Sequence, residues 1–179
     1  MKTLSRTQQL TRRNLMDALL GILPHKPLER IGIKEITDAA GYNRSTFYLY
    51  FTDIYDLADA VKRERLTELS EAVRKVREEM PKAPLGDLFG SIVFVVAPRL
   101  ETIDLCSRLP GFMDAFRQVI APLFSGVTGV REEDSRFGYL LSLATTIMLH
   151  NIRPIMIKVN SAQNKFVFSD TSVFFLRVL

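Results

Sequence analysis

The sequence predicts an all-α chain: an N-terminal three-helix unit built on a helix-turn-helix, then a long connecting helix, then a C-terminal helical bundle. Three observations lead there. Apolar residues recur at spacings of three and four along the chain, and they seldom alternate one-for-one with polar residues as half-buried strands require. Prolines at 24, 27, 81, 84, 98, 110, 122 and 154 leave residues 28–80 unbroken, so Pro81-Lys82-Ala83-Pro84 marks a boundary after a charged run. Finally, Gly41 parts two short helical patterns by the few residues that force a steep crossing. The segments read as 1–52, 53–80 and 81–179, and Val93-Phe94-Val95-Val96 is the one stretch with strand character.

The first helix is expected from about Arg6 to Leu23, with Leu15, Ala18, Leu19 and Ile22 on one face and Arg6, Arg12 and Arg13 near its start. Pro24 stops it, because proline lacks the N–H that the next turn needs. A second helix over Ile33–Ala40 buries Ile33, Ile36 and Ala40, and it ends at Gly41, which adopts positive φ without a Cβ penalty. Asn43 then caps a short third helix, Arg44–Tyr50, through its side-chain oxygen. Asp53 opens a long charged helix to about Glu79.

A chain of 179 residues, 47% hydrophobic and 25% charged, has the composition of a folded globular protein and excludes disordered and collagen-like classes. The charge is uneven. Residues 1–50 hold eight Lys or Arg against four Asp or Glu, whereas residues 51–179 hold sixteen of each, so the net +4 sits at the N-terminus, as a polyanion-binding face requires. Cys106 has no second cysteine to pair with, and with only His25 and His150 no Cys/His zinc spacing exists; neither metal nor cofactor is expected. The start, Met1-Lys2-Thr3-Leu4-Ser5-Arg6, lacks the apolar core of a signal peptide, which suits a cytoplasmic protein. The longest uncharged runs, 88–98 and 137–152, fall short of the roughly 20 residues that span a bilayer, so no membrane is expected.

The turn around Gly41 carries the functional reading. Ala40 is small enough for the crossing, Tyr42 and Phe47 are apolar anchors, and the helix after the turn then projects its N-terminal side chains outward, as one that enters a DNA major groove does. Arg44, Ser45, Thr46, Tyr48 and Leu49 are the expected contacts, flanked by Lys34, Asn43 and Tyr50.

The run Ile33-Lys34-Glu35-Ile36-Thr37-Asp38-Ala39-Ala40-Gly41-Tyr42-Asn43-Arg44-Ser45-Thr46-Phe47-Tyr48-Leu49-Tyr50-Phe51 resembles the DNA-binding signature of the TetR family of transcriptional regulators. The resemblance covers about residues 8 to 60, and it implies a homodimer with an all-helical fold and repression relieved by a small molecule. Three positions depart from the family pattern. Ile54, near Asp53 and Asp56, stands where a phosphate-contacting lysine is usual; Thr37 replaces an alanine; and Gly32 replaces a Ser or Thr cap.

Beyond residue 84 the reading is physical only. Leu88, Ile92, Val95 and Val96, then Phe112, Met113, Phe116 and Ile120, then Tyr139, Leu140, Leu143, Ile147 and Met148 recur at helical spacing and read mostly as core. Phe94, Phe112, Met113, Phe116 and Met148 are the expected lining of a pliable apolar pocket for a small apolar or amphipathic ligand. The near-uncharged helix 136–152 and the apolar end Phe174-Phe175-Leu176-Arg177-Val178-Leu179 are the expected dimer seam. One alternative is a helix-turn-helix protein controlled by a protein partner. The other, an all-helical enzyme, finds no Gly-rich phosphate loop, serine elbow or metal spacing to support it.

Overall fold

A computed structural model describes residues 5–79, 99–143 and 145–146. The strand-like run 93–96, the apolar end 174–179, and Phe94, Met148 and His150 lie outside the described residues. Among the described residues every regular element is helical.

Helix α1 spans Arg6–Ile22. Its start is set by a reciprocal cap: the Gln8 backbone N–H donates to the Ser5 hydroxyl, and the Ser5 N–H donates to the Gln8 side-chain Oε1 at 2.9 Å. Leu15 and Leu19 are fully buried as the spacing predicts, and Met16 and Leu23 join them. A 3-10 turn, Leu28–Arg30, leads to α2, Ile33–Ala40. Gly32 caps α2 without a side-chain bond, and the Glu35 and Ile36 N–H groups donate instead to its carbonyl. Ile36 and Thr37 are buried, whereas Ile33 and Ala40 are half-buried. Thr37 is tolerated because its hydroxyl donates to the Lys34 carbonyl at 3.0 Å, leaving no orphaned polar atom.

Helix α3 is shorter than its sequence pattern, Arg44–Tyr48, because the chain tightens into turns: Leu49 N–H donates to Thr46 and Tyr50 N–H to Phe47. Helix α4, Ile54–Glu79, has Leu57, Val61, Leu69 and Val73 at intervals of four or eight on one stripe. Arg65 interrupts that stripe with only 19% of its side chain exposed; it is held by Asp17 of α1 at 3.2 Å and by Glu68 at 3.0 Å. Helix α5 is Leu100–Cys106, and α6 is Phe112–Thr128. Pro122 lies inside α6 and does not end it, contrary to the punctuating role that the other prolines suggest. Residues 137–143 and 145–146 are also helical.

Contacts divide the chain into two compact units, Met1–Glu71 with Glu101–Phe116, and Ala72–Leu100 with Arg117–Leu179. Residues 101–116, which the sequence alone groups with the C-terminal segment, therefore pack with the first unit. There Lys62 donates to the Pro110 carbonyl at 3.1 Å, and Arg108 donates to the Leu23 and Pro24 carbonyls at 3.1 and 3.3 Å. Arg108 thus supplies the positive charge that the last turn of α1 lacks. Among the described residues of the second unit, Ala121, Phe137 and Leu141 form a buried cluster, with the Phe124 and Phe137 rings 5.6 Å apart and edge-on. Tyr139 and Leu143 are exposed, because the buried face of this stretch runs through Phe137, Leu141 and Thr145 at intervals of four.

Candidate nucleic-acid interface

The element that presents side chains outward is built from α1, α2 and α3. Gly41 sits at φ 75°, and from the turn the Gly41 and Tyr42 N–H groups return to the Asp38 and Thr37 carbonyls at 3.3 and 2.8 Å. This left-handed cap ends α2 and redirects the chain. The Asn14 side-chain amide donates to the Tyr42 hydroxyl at 3.1 Å, which fixes the turn against α1. Asn43 then starts α3: its Oδ1 accepts the Thr46 N–H, the Thr46 hydroxyl and the Ser45 hydroxyl, at 2.8, 2.8 and 2.7 Å.

Phe47 is fully buried, and Tyr48 and Phe51 both lie against it, with ring centroids 5.6 and 5.7 Å away. This anchor sets which side chains face solvent. Arg44, Ser45, Asn43 and Lys34 are exposed, Tyr48 is 57% and Leu49 78% exposed, and Thr46 and Tyr50 are half-buried. The eight residues that the sequence nominates are thus all accessible, though Lys34 also pairs with Asp38 one turn on.

The basic charge of the N-terminus is only partly available to a partner. Arg12 donates to Glu64 of α4 at 3.0 Å and stacks over the Phe51 ring at 5.7 Å, while Arg13 lies 3.7 Å from the same carboxylate. Lys26 donates to Glu35 at 2.7 Å, and that bond holds the Glu35 carboxyl below its usual range. Arg6, Arg30 and Arg44 are exposed cations.

Where the family pattern has a lysine, the start of α4 is capped by the chain's own carboxylates. Asp53 accepts the Tyr55 and Asp56 N–H groups at 2.8 and 2.9 Å, and Asp56 reaches back to the Thr52 N–H at 3.0 Å. These N–H groups, which would otherwise attract a phosphate, are bound to the chain's own carboxylates. Beside them Ile54 is half-buried, and Tyr55 is 52% exposed. Tyr55 is an accessible aromatic absent from the expected contacts; its place in the first turn after a cap was the available signal.

Of the expected pocket residues, Phe112 and Phe116 are buried and stacked 6.1 Å apart, in the same compact unit as α1 to α3, and Met113 beside them is half-buried.

Residues 15–61 match the family of bacterial regulatory proteins, tetR family. No curated protein sequence matches the chain. Among solved structures, the fatty acid degradation regulator FadR from Bacillus halodurans is similar, with a TM-score of 0.57 at 16% identity over 88% of this chain and 87% of that one. A protein from Lactobacillus plantarum described as a transcription regulator has a TM-score of 0.52 at 14% identity, over 89% of this chain and 92% of that one. At such identities the likeness is one of fold.

Proposed function

From a DNA-binding transcription regulator whose residues 15–61 are of the tetR family, we propose a homodimeric repressor that holds a pseudo-palindromic operator and releases it on binding a small apolar or amphipathic molecule. The observation that carries the DNA-binding part is the row Arg44, Ser45, Tyr48 and Leu49, exposed on a short helix whose anchor Phe47 is fully buried. A side-chain row fixed in this way is what base-edge recognition in a major groove demands.

Dimerisation is supported by Tyr139 and Leu143, 73% and 41% exposed one turn apart on the helical stretch 137–143. An apolar effector is supported by the aromatic and methionine residues Phe112, Met113 and Phe116. The structural likeness to a regulator of fatty acid degradation suits an amphipathic ligand. No helix among the described residues is long and apolar enough to cross a membrane, which accords with a chain that works on DNA in the cytoplasm.

Release requires differential affinity. A molecule that prefers the non-binding dimer geometry by about 1.4 kcal/mol shifts the ratio tenfold, and one without preference shifts nothing. The test is selection of a duplex from a random library by the full chain, then a screen of apolar compounds for thermal stabilisation, with every stabiliser assayed for DNA release. A selected palindrome and at least one releasing compound are expected. Compounds that stabilise without releasing would favour control by a protein partner, and failure to select any duplex would overturn the reading.

A further inference from the structure

We propose that Leu49 determines specificity by reading the C5 methyl group of a thymine in the major groove; the proposal rests on the DNA-binding reading of α2 and α3. At 78% exposure Leu49 is the most exposed large apolar side chain among the described residues. It is also firmly placed. Its own N–H donates to Thr46, the N–H groups of Tyr50 and Phe51 both donate to the Phe47 carbonyl, and Phe47 and Phe51 on either side are buried.

The neighbouring polar groups sharpen the assignment. The hydroxyls of Ser45 and Thr46 both lie against Asn43 Oδ1, at 2.7 and 2.8 Å, and with their protons placed there their oxygens are open to a partner as acceptors. They suit the exocyclic amines of adenine or cytosine, and Arg44 suits guanine or phosphate. Of these groups only the Thr46 methyl matches the feature that sets thymine apart, and Thr46 is half-buried. The major-groove edge of DNA carries one apolar group, the thymine methyl, and phosphates carry none. A solvated leucine on a hydrogen-bonded backbone beside the recognition row has that methyl as its matching base-edge partner.

The test uses the full chain and its selected operator. Each thymine is replaced in turn by deoxyuridine, which removes the methyl and leaves the base pair intact, and affinity is read by fluorescence anisotropy. One position in each half-site is expected to lose about fourfold, the worth of one methyl-sized apolar group removed from water. L49A should lose a similar factor on the all-thymine operator and become indifferent to deoxyuridine at that position. L49M should keep the sensitivity. Since Leu49 is exposed, L49A should melt at the wild-type temperature. Wild type indifferent to deoxyuridine everywhere, or L49A retaining the full sensitivity, overturns the proposal while leaving a selected operator in hand. Failure to select any operator overturns the underlying DNA-binding reading as well.

Discussion

At the scale of single residues, adjacent positions in α3 have opposite tasks. Phe47 is an anchor with no exposed surface, so Phe47→Ala is expected to lose about 3–5 kcal/mol of stability, measured by denaturant unfolding, through lost burial and the cavity left behind. Arg44→Ala and Tyr48→Phe, both on exposed side chains, should weaken operator binding and leave the helical circular dichroism unchanged. Arg44→Ala binding every duplex as wild type does would displace α3 as the recognition helix. Cys106 allows a test by pH. Burial raises its thiol to about 11 from an ordinary value of 9.0, against a smaller opposing effect of the Arg65 charge. The folded chain then keeps a proton that the unfolded chain releases, so this contribution is complete below pH 9 and disappears between about 9 and 11. Over that window the stability advantage of wild type over Cys106→Ala should shrink by about 2–3 kcal/mol at most. In the native protein the thiol should resist aromatic disulfide reagents, reacting only as the fold opens.

At the scale of elements, the helix-turn-helix depends on one backbone conformation. Gly41 lies at φ 75°, and a Cβ added there would meet no atom within 4 Å, so the cost of substitution is conformational and not steric. Gly41→Ala should therefore destabilise by about 1–2 kcal/mol in chemical denaturation, and Gly41→Asn by less, since asparagine visits the left-handed region more readily. Both variants should also reduce operator affinity, because the turn sets the angle between α2 and α3. Equal stability of the alanine and glycine forms would contradict this account of the turn. The end of α1 depends on a residue from far along the chain. Arg108→Ala removes both hydrogen bonds to the Leu23 and Pro24 carbonyls, and from its exposed position it should cost about 1 kcal/mol, read as a lowered midpoint without a changed unfolding slope.

At the scale of the whole molecule, the uneven charge becomes a prediction about solution conditions. Two N-terminal units in a dimer should bind DNA with an affinity that falls steeply as salt rises, through counterion release, with α3 modules about 34–36 Å apart or a small multiple of a helical turn. Titration at several salt concentrations together with sedimentation checks both statements; salt-independent binding, or a monomer at micromolar concentration, would contradict them. The slope should be shallower than a count of N-terminal cations suggests, because Arg12 and Lys26 already face carboxylates at 3.0 and 2.7 Å.

The sequence by itself determined what is local. The bounds of α2, the left-handed Gly41, the Asn43 cap and the buried Phe47 follow from backbone sterics and short-range hydrogen bonding, so the residue types at those positions suffice to specify them. The accessible row on α3 was legible for the same reason, since a five-residue helix over a single anchor leaves few ways to face. Only the tertiary structure decided what depends on partners distant along the chain. It assigned Arg12 to Glu64 and Arg65 to Asp17, so Arg12, a part of the N-terminal basic charge, holds α1 to α4, while Arg13 lies near the same carboxylate and stays exposed. Residues 101–116 joined the N-terminal unit, where Arg108 donates to the Leu23 carbonyl and Lys62 donates to the Pro110 carbonyl. Tyr139 and Leu143 fell outside the core for a related reason. An apolar helix wide enough to bury either of two faces does not state in its sequence which one its neighbour covers, and here the small core of Phe137 and Leu141 made that choice.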